Sequence, residues 1–227
     1  MLEEFGQSLY IADGPSVDFM GFPYPTRMAV ARLADGELWI WSPIELTEEL
    51  RAEINALGTV KYIVSPNKIH HIFIKEWADE WPEALVYTPP GLAERKPEIH
   101  FDKELTDEPP PEWRDEIDQV IFHGSFAMEE VVFFHRSSRT AIVCDLIQRH
   151  DPADMKGFKG LLMRLDGLVG DKGSTPREWR ASFLKRSLAR AAREKVLGWQ
   201  ADKLLIAHGK CVNSDASDII SSALDWI

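Results

Sequence analysis

Cysteine is almost missing: Cys144 and Cys211 are the only two in 227 residues. That excludes a disulfide scaffold and a zinc module built on cysteines. Both read as free thiols in a reducing compartment. Histidine is scarce too, with seven in the chain. A transition-metal site would have to be drawn from that handful. Long hydrophobic runs are lacking, and none approaches the roughly 20 residues that span a bilayer. Met1–Gln7 carries Glu3 and Glu4 and no base, unlike a secretory leader. Basic residues are in deficit, with 26 Lys plus Arg against 37 Asp plus Glu and a net charge of −11. Such a field repels phosphate backbones. The expectation is a cytoplasmic protein that binds neither nucleic acid nor membrane.

What is present suits a folded chain. Hydrophobic residues make up 44% and charged residues 28%, which is enough to build a core. The length fits one domain, 1–227, with an elaboration. Leu9–Ala12 reads as a short strand. Residues 14–25 read as a loop, apolar at Phe19, Met20, Phe22 and Tyr24. Asp35-Gly36 between RMAVARL and ELWIW predicts a hairpin. Thr47 caps a helix that Gly58 ends. The strand KYIV (61–64), a helical stretch from Ile72 to Trp77 and the strand ALVY (84–87) follow in a β–α–β rhythm. Residues 102–118 hold eight acids and two bases and read as a solvated excursion.

Strands are expected at 119–123, 130–135 and 140–146. Residues 151–200 read as a helical insertion with 11 bases against 6 acids. The rest of the chain is left with 15 against 31, a balance of −16. Within the insertion Thr175-Pro176-Arg177-Glu178 predicts a capped helix running to Gly198. KLLIA (203–207) is a last strand before a closing helix that ends at Ile227.

Three strand ends carry metal-capable side chains. His70 and His71 follow KYIV, Asp145 follows AIVC, and His208 follows LLIA. Ligands collect beyond the carboxyl ends of strands in α/β sheets. Three imidazoles and a carboxylate suit Zn²⁺, Fe²⁺ or Mn²⁺.

The order of these sites resembles the metallo-β-lactamase superfamily. Its T-H-x-H-x-D-H signature would fall on Ser65-Pro66-Asn67-Lys68-Ile69-His70-His71. Val143-Cys144-Asp145 and Ala207-His208-Gly209 resemble its later metal-binding turns. The Pro-Asn-x-x-His-His element, with EVVFFH and DLI, is similar to a divergent branch of that superfamily. The resemblance implies an α/β chain in a four-layer αββα sandwich, with two mixed sheets and helices outside. It also implies that one of the family's two metal positions is dismantled. Pro66, Lys68 and Phe126 stand where its histidines would be, unless a register slip brings in His123. At the other position His70, His71, Asp145 and His208 are all still donors.

Two functions follow as expectations. One is a metal-dependent hydrolase that uses a single divalent ion on a small substrate. The basic insertion makes an anionic substrate plausible, with Lys68 stabilising an oxyanion or anionic group. The other is a non-catalytic member of the fold, with a structural metal or none, that binds a ligand or a protein.

Overall fold

The computed structural model describes residues 1–19, 22–153 and 155–227. Met20 and the side chains of Phe19 and Phe22, read above as apolar, lie outside that description.

Seven strands form the first sheet, and their spatial order is their chain order. They are β1 (Glu3–Gly6), β2 (Leu9–Phe19), β3 (Phe22–Arg32), β4 (Glu37–Trp41), β5 (Thr59–Val64), β6 (Leu85–Thr88) and β7 (Lys103–Glu104). Pairing is antiparallel from β1 to β4 and parallel from β4 onward. The second sheet holds β8 (Ile117–Phe122), β9 (Glu130–His135), β10 (Thr140–Val143) and β11 (Lys203–Ile206), in the order β11-β10-β9-β8. Only β10 and β11 run parallel. Helices α1 (Glu48–Leu57) and α2 (Ile74–Glu80) follow strands of the first sheet. Helices α3 (Gly157–Leu165), α4 (Arg177–Ser182) and α5 (Arg186–Gly198) fall between β10 and β11, and α6 (Ala216–Ala223) closes the chain.

Strand alternation sorts the core into three layers. Trp39 and Trp41 of β4 face the second sheet, where they join Phe133, Ile142 and Leu205. Leu38 and Ile40 of the same strand face outward, onto Leu50 and Ile54 of α1 and Trp77 of α2. The outer face of the second sheet is covered by Ala189, Ala192 and Val196 of α5 and by Ile220 of α6. Helices, sheet, sheet and helices therefore stack as the expected four layers. Among the described residues, no helix is long and apolar enough to cross a membrane.

Local signals held where they were strong. The hairpin between β3 and β4 forms at Asp35-Gly36, and Thr47 Oγ1 caps α1 by accepting from Leu50 N at 3.2 Å. The expected loop over 14–25 is instead mostly strand. β2 and β3 run on as a long hairpin, with an irregularity between Gly14 and Val17. Glycine and proline punctuate that sequence, but a bulge absorbs them without ending the pairing. The expected helix from Thr175 to Gly198 is two helices. Thr175 does not cap, because its hydroxyl donates to the Leu146 carbonyl at 2.6 Å.

Candidate metal centre

Four strand ends meet at one edge of the sandwich. Ser42 follows β4, a turn holding His70 follows β5, Cys144 and Asp145 follow β10, and His208 follows β11. His70, Cys144, Asp145 and His208 each present one ligand atom, and these atoms all lie within 4.8 Å of one another. His70 Nε2 and His208 Nε2 are 3.0 Å apart. Asp145 offers Oδ2 to His70 at 3.3 Å and Oδ1 to His208 at 3.4 Å.

Each ring is fixed through its outer nitrogen. His208 Nδ1 donates to the Pro25 carbonyl at 2.8 Å, which leaves Nε2 as its inward atom. His70 Nδ1 pairs with Ser42 Oγ at 2.9 Å. Ser42 has φ of +48°, an uncommon conformation for a residue with a Cβ. Gly209, with φ of +120°, lets the turn after His208 pass against Arg149; a Cβ there would stand 2.2 Å from the Arg149 carbonyl oxygen. Arg27 braces the same turn by donating to the carbonyls of Ile206 and Gly209, both at 2.7 Å.

The carboxylate is held as firmly. Asn67 Nδ2 donates to Asp145 Oδ2 at 2.8 Å and to Glu130 Oε2 at 3.0 Å. Asn67 Oδ1 accepts from the backbone nitrogens of Ile69 and His70, which starts the turn that carries His70. Glu130 is fully buried and accepts from the backbone nitrogens of Cys144, Asp145 and Leu146. One buried side chain thus shapes the turn that presents Asp145.

Charges follow from this packing. Burial alone would raise Asp145, but the two rings on its oxygens hold it well below the usual carboxylate range. Burial lowers His70 against the pull of Asp145. Burial also works against protonated His208, yet Asp145 prevails and the ring is raised. Burial, then the Asp145 charge, pushes Glu130 up.

The donors fit a divalent ion. Ligand atoms at about 2.0–2.1 Å from one ion stand roughly 3.0–3.4 Å from each other. The Nε2 and carboxylate separations fall in that range, and both rings have the outer hydrogen bond that orients a metal-ligating histidine. Two imidazoles and a carboxylate suit Zn²⁺, Fe²⁺ or Mn²⁺.

The predicted residues do not all arrive here. His70, Asp145 and His208 do. His71 lies outside the group, because adjacent side chains in the turn diverge; its surroundings are Arg95, Lys96 and Glu98. Cys144 stands nearest as a fourth donor. It faces the inter-sheet core as its strand position implies, but at the rim of that layer its sulfur still reaches the group. Lys68 points elsewhere, and its Nζ packs beside Gly91. His123 is held between Glu129 and Asp107, at 2.9 and 3.2 Å. Sequence reading used Asn67 and Glu130 only as parts of the motifs that carry the resemblance, and gave neither these two nor Ser42 a part in the site. One signal was available: in EVVFFH, Glu130 directly precedes four consecutive apolar residues.

A cavity of about 490 Å³ opens above the group, with His70, Asp145 and His208 in its lining. Tyr24 lies at its base, edge-on to the His208 ring at 5.1 Å. Burial, then Asp145, pushes the Tyr24 hydroxyl up to about 12, so it stays a phenol and a donor.

Comparison with known proteins agrees with this architecture. DIM-1 metallo-β-lactamase exposed to ceftazidime superposes with a TM-score of 0.66 at 15% identity, covering 99% of this chain and 96% of that one. A metallo-β-lactamase from Pontibacter korlensis gives 0.64 at 14% identity, covering 100% and 97%. FIM-1 from Pseudomonas aeruginosa, in its mono-zinc form, gives 0.62 at 9% identity, covering 99% and 94%. At such identities the likeness shows the fold. No curated protein matches the sequence. Residues 18–156, well over half of the chain, match the family described as Domain of unknown function (DUF4336). The chain belongs to that family, a divergent branch built on the metallo-β-lactamase fold.

Proposed function

We propose that this protein is a hydrolase that uses one divalent ion, held by His70, Asp145 and His208, on a small molecule in the adjoining cavity. The observation that carries the reading is the convergence of both Nε2 atoms on the two Asp145 oxygens, with both outer nitrogens already engaged. A divalent ion there would supply Lewis acidity toward a carbonyl or phosphoryl oxygen and an acidified water. The chain supplies the rest. Asn67 and Glu130 hold Asp145, Ser42 and Pro25 hold the rings, and Tyr24 lines the cavity beside His208. The free thiols at Cys144 and Cys211 support a reducing, cytoplasmic setting.

Cys144 favours a second reading. With its thiolate added, four protein donors would close the site, and closed sites are usually structural. Metal analysis of the purified protein tests the shared premise. Near-stoichiometric metal is expected, with Asp145→Ala and His208→Ala each lowering it and His71→Ala leaving it unchanged. Less than about 0.2 ion per chain, without chelators, would sink both readings.

A further inference from the structure

Most of the cavity is not built for charge. Its lower walls are apolar: Ile69 and Phe73 come from the turn after β5, and Met128 and Trp179 come from the β8–β9 loop and α4. Trp179 is locked in place, since its indole donates to the Met128 carbonyl at 2.9 Å. The helical insertion therefore closes one wall. Apart from Asp145, the lining acids Asp18 and Glu178 and the lining base Arg95 are all exposed at the rim. Two large apolar side chains also stand open at the mouth, Ile72 at 59% exposure and Phe126 at 76%. Lone apolar side chains on a surface need no explanation, but a pair continuous with an apolar cavity marks a binding route. Among the lining residues, the group His70, Asp145 and His208 is where buried polar atoms converge, with Tyr24 edge-on to the His208 ring.

We propose that the cavity takes a molecule with a long apolar body and one carbonyl head, such as an alkyl or aryl ester. The body lies between the Ile69–Phe73 wall and the Met128–Trp179 wall, and the head meets the His70–Asp145–His208 group. The volume matches an organic ligand of ordinary drug size. A compact inorganic anion would leave these walls facing water.

This assignment of the ligand rests on taking the cavity as the working site, but it is testable without turnover. The probes are straight-chain 2-alkanones from 2-pentanone to 2-undecanone, which cannot be hydrolysed. Each is titrated against N-phenyl-1-naphthylamine fluorescence, with protein as purified and again after chelation. Affinity should rise about fourfold per added methylene until the walls are filled. Met128→Glu should weaken 2-nonanone at least tenfold, and Phe126→Ser, at an exposed position that folding tolerates, about threefold. A flat chain-length series, or Met128→Glu with unchanged affinity and an unchanged melting temperature, overturns the proposal. If the series rises in protein that, as purified without chelators, holds less than about 0.2 ion per chain, the apolar assignment stands and the metal reading fails. If metal is bound and the series is flat, the apolar assignment alone fails.

Discussion

Asn67 donates an amide hydrogen to Asp145 Oδ2 at 2.8 Å, although 78 positions separate the two residues. The same amide nitrogen reaches Glu130 at 3.0 Å, so one side chain ties two buried carboxyl groups to the turn that carries His70. The candidate site is thus held together by a hydrogen-bond network within the chain itself.

Asn67→Ala should therefore destabilise the fold by about 3 kcal/mol, at the upper end for a buried group left unsatisfied. Asn67→Asp should be worse, because it sets a third carboxylate against two others. Urea denaturation at pH 7 measures both. An alanine variant within about 0.5 kcal/mol of the parent would mean that the network contributes nothing.

Ser42 allows backbone and side-chain roles to be separated. Its φ of +48° costs roughly 1 kcal/mol for a residue with a Cβ. Its bond to His70 Nδ1 is worth about the same. Ser42→Gly should keep near-parental stability, and Ser42→Ala should lose about 1 kcal/mol. Both should weaken metal binding, in the range of 10- to 100-fold seen for partners that orient a ligating histidine. Competition with a chromophoric chelator reads the affinity. Equal affinity in all three proteins would show that the hydroxyl does not orient the ring.

The sequence made the strand ends legible because each is an apolar run followed by a polar residue, and the fold demands that order. It did not make side-chain direction legible. His70 and His71 are adjacent and chemically identical, yet the turn begun by Asn67 sends only His70 inward. The register between β10 and β11 brings Val143 beside Ile206, and so Asp145 near His208. No local pattern encodes that pairing. Asn67 and Glu130 were hidden for a related reason, since their roles depend on partners far away in the chain.

His135 predicts an acid limb of stability. It is fully buried, with Nδ1 bonded to Ser138 Oγ at 2.7 Å, and burial lowers its pKa to about 4. The unfolded chain takes up this proton near pH 6.5, and the folded chain does not until about pH 4. The contribution is therefore present above pH 6.5 and is lost progressively as pH falls toward 4. Between pH 7 and pH 5 the loss is about 2 kcal/mol. His123 works in the opposite sense: burial opposes its proton, but Glu129 and Asp107 raise it. A comparison of parent and His135→Gln by urea denaturation at both pH values isolates the His135 part. Parallel pH dependence in the two proteins would refute the assignment.

Cys144 decides whether the centre is open or closed. Its side chain packs between the sheets with Phe133, Ile142 and Leu205, as a small hydrophobe would. Its sulfur is nonetheless within reach of both histidines and Asp145. Packing already explains its place, and three nitrogen and oxygen donors suffice for a catalytic ion, so we expect sulfur to stay unligated. Cobalt-substituted protein should then show no sulfur-to-metal charge-transfer band in the near ultraviolet. Cys144→Ala should keep most of its metal while losing about 1–2 kcal/mol of stability through the small cavity it leaves. A strong charge-transfer band that disappears in Cys144→Ala, together with its metal, would establish a four-donor closed site. The centre would then hold the two sheets together at their edge, and the protein would be a binding module.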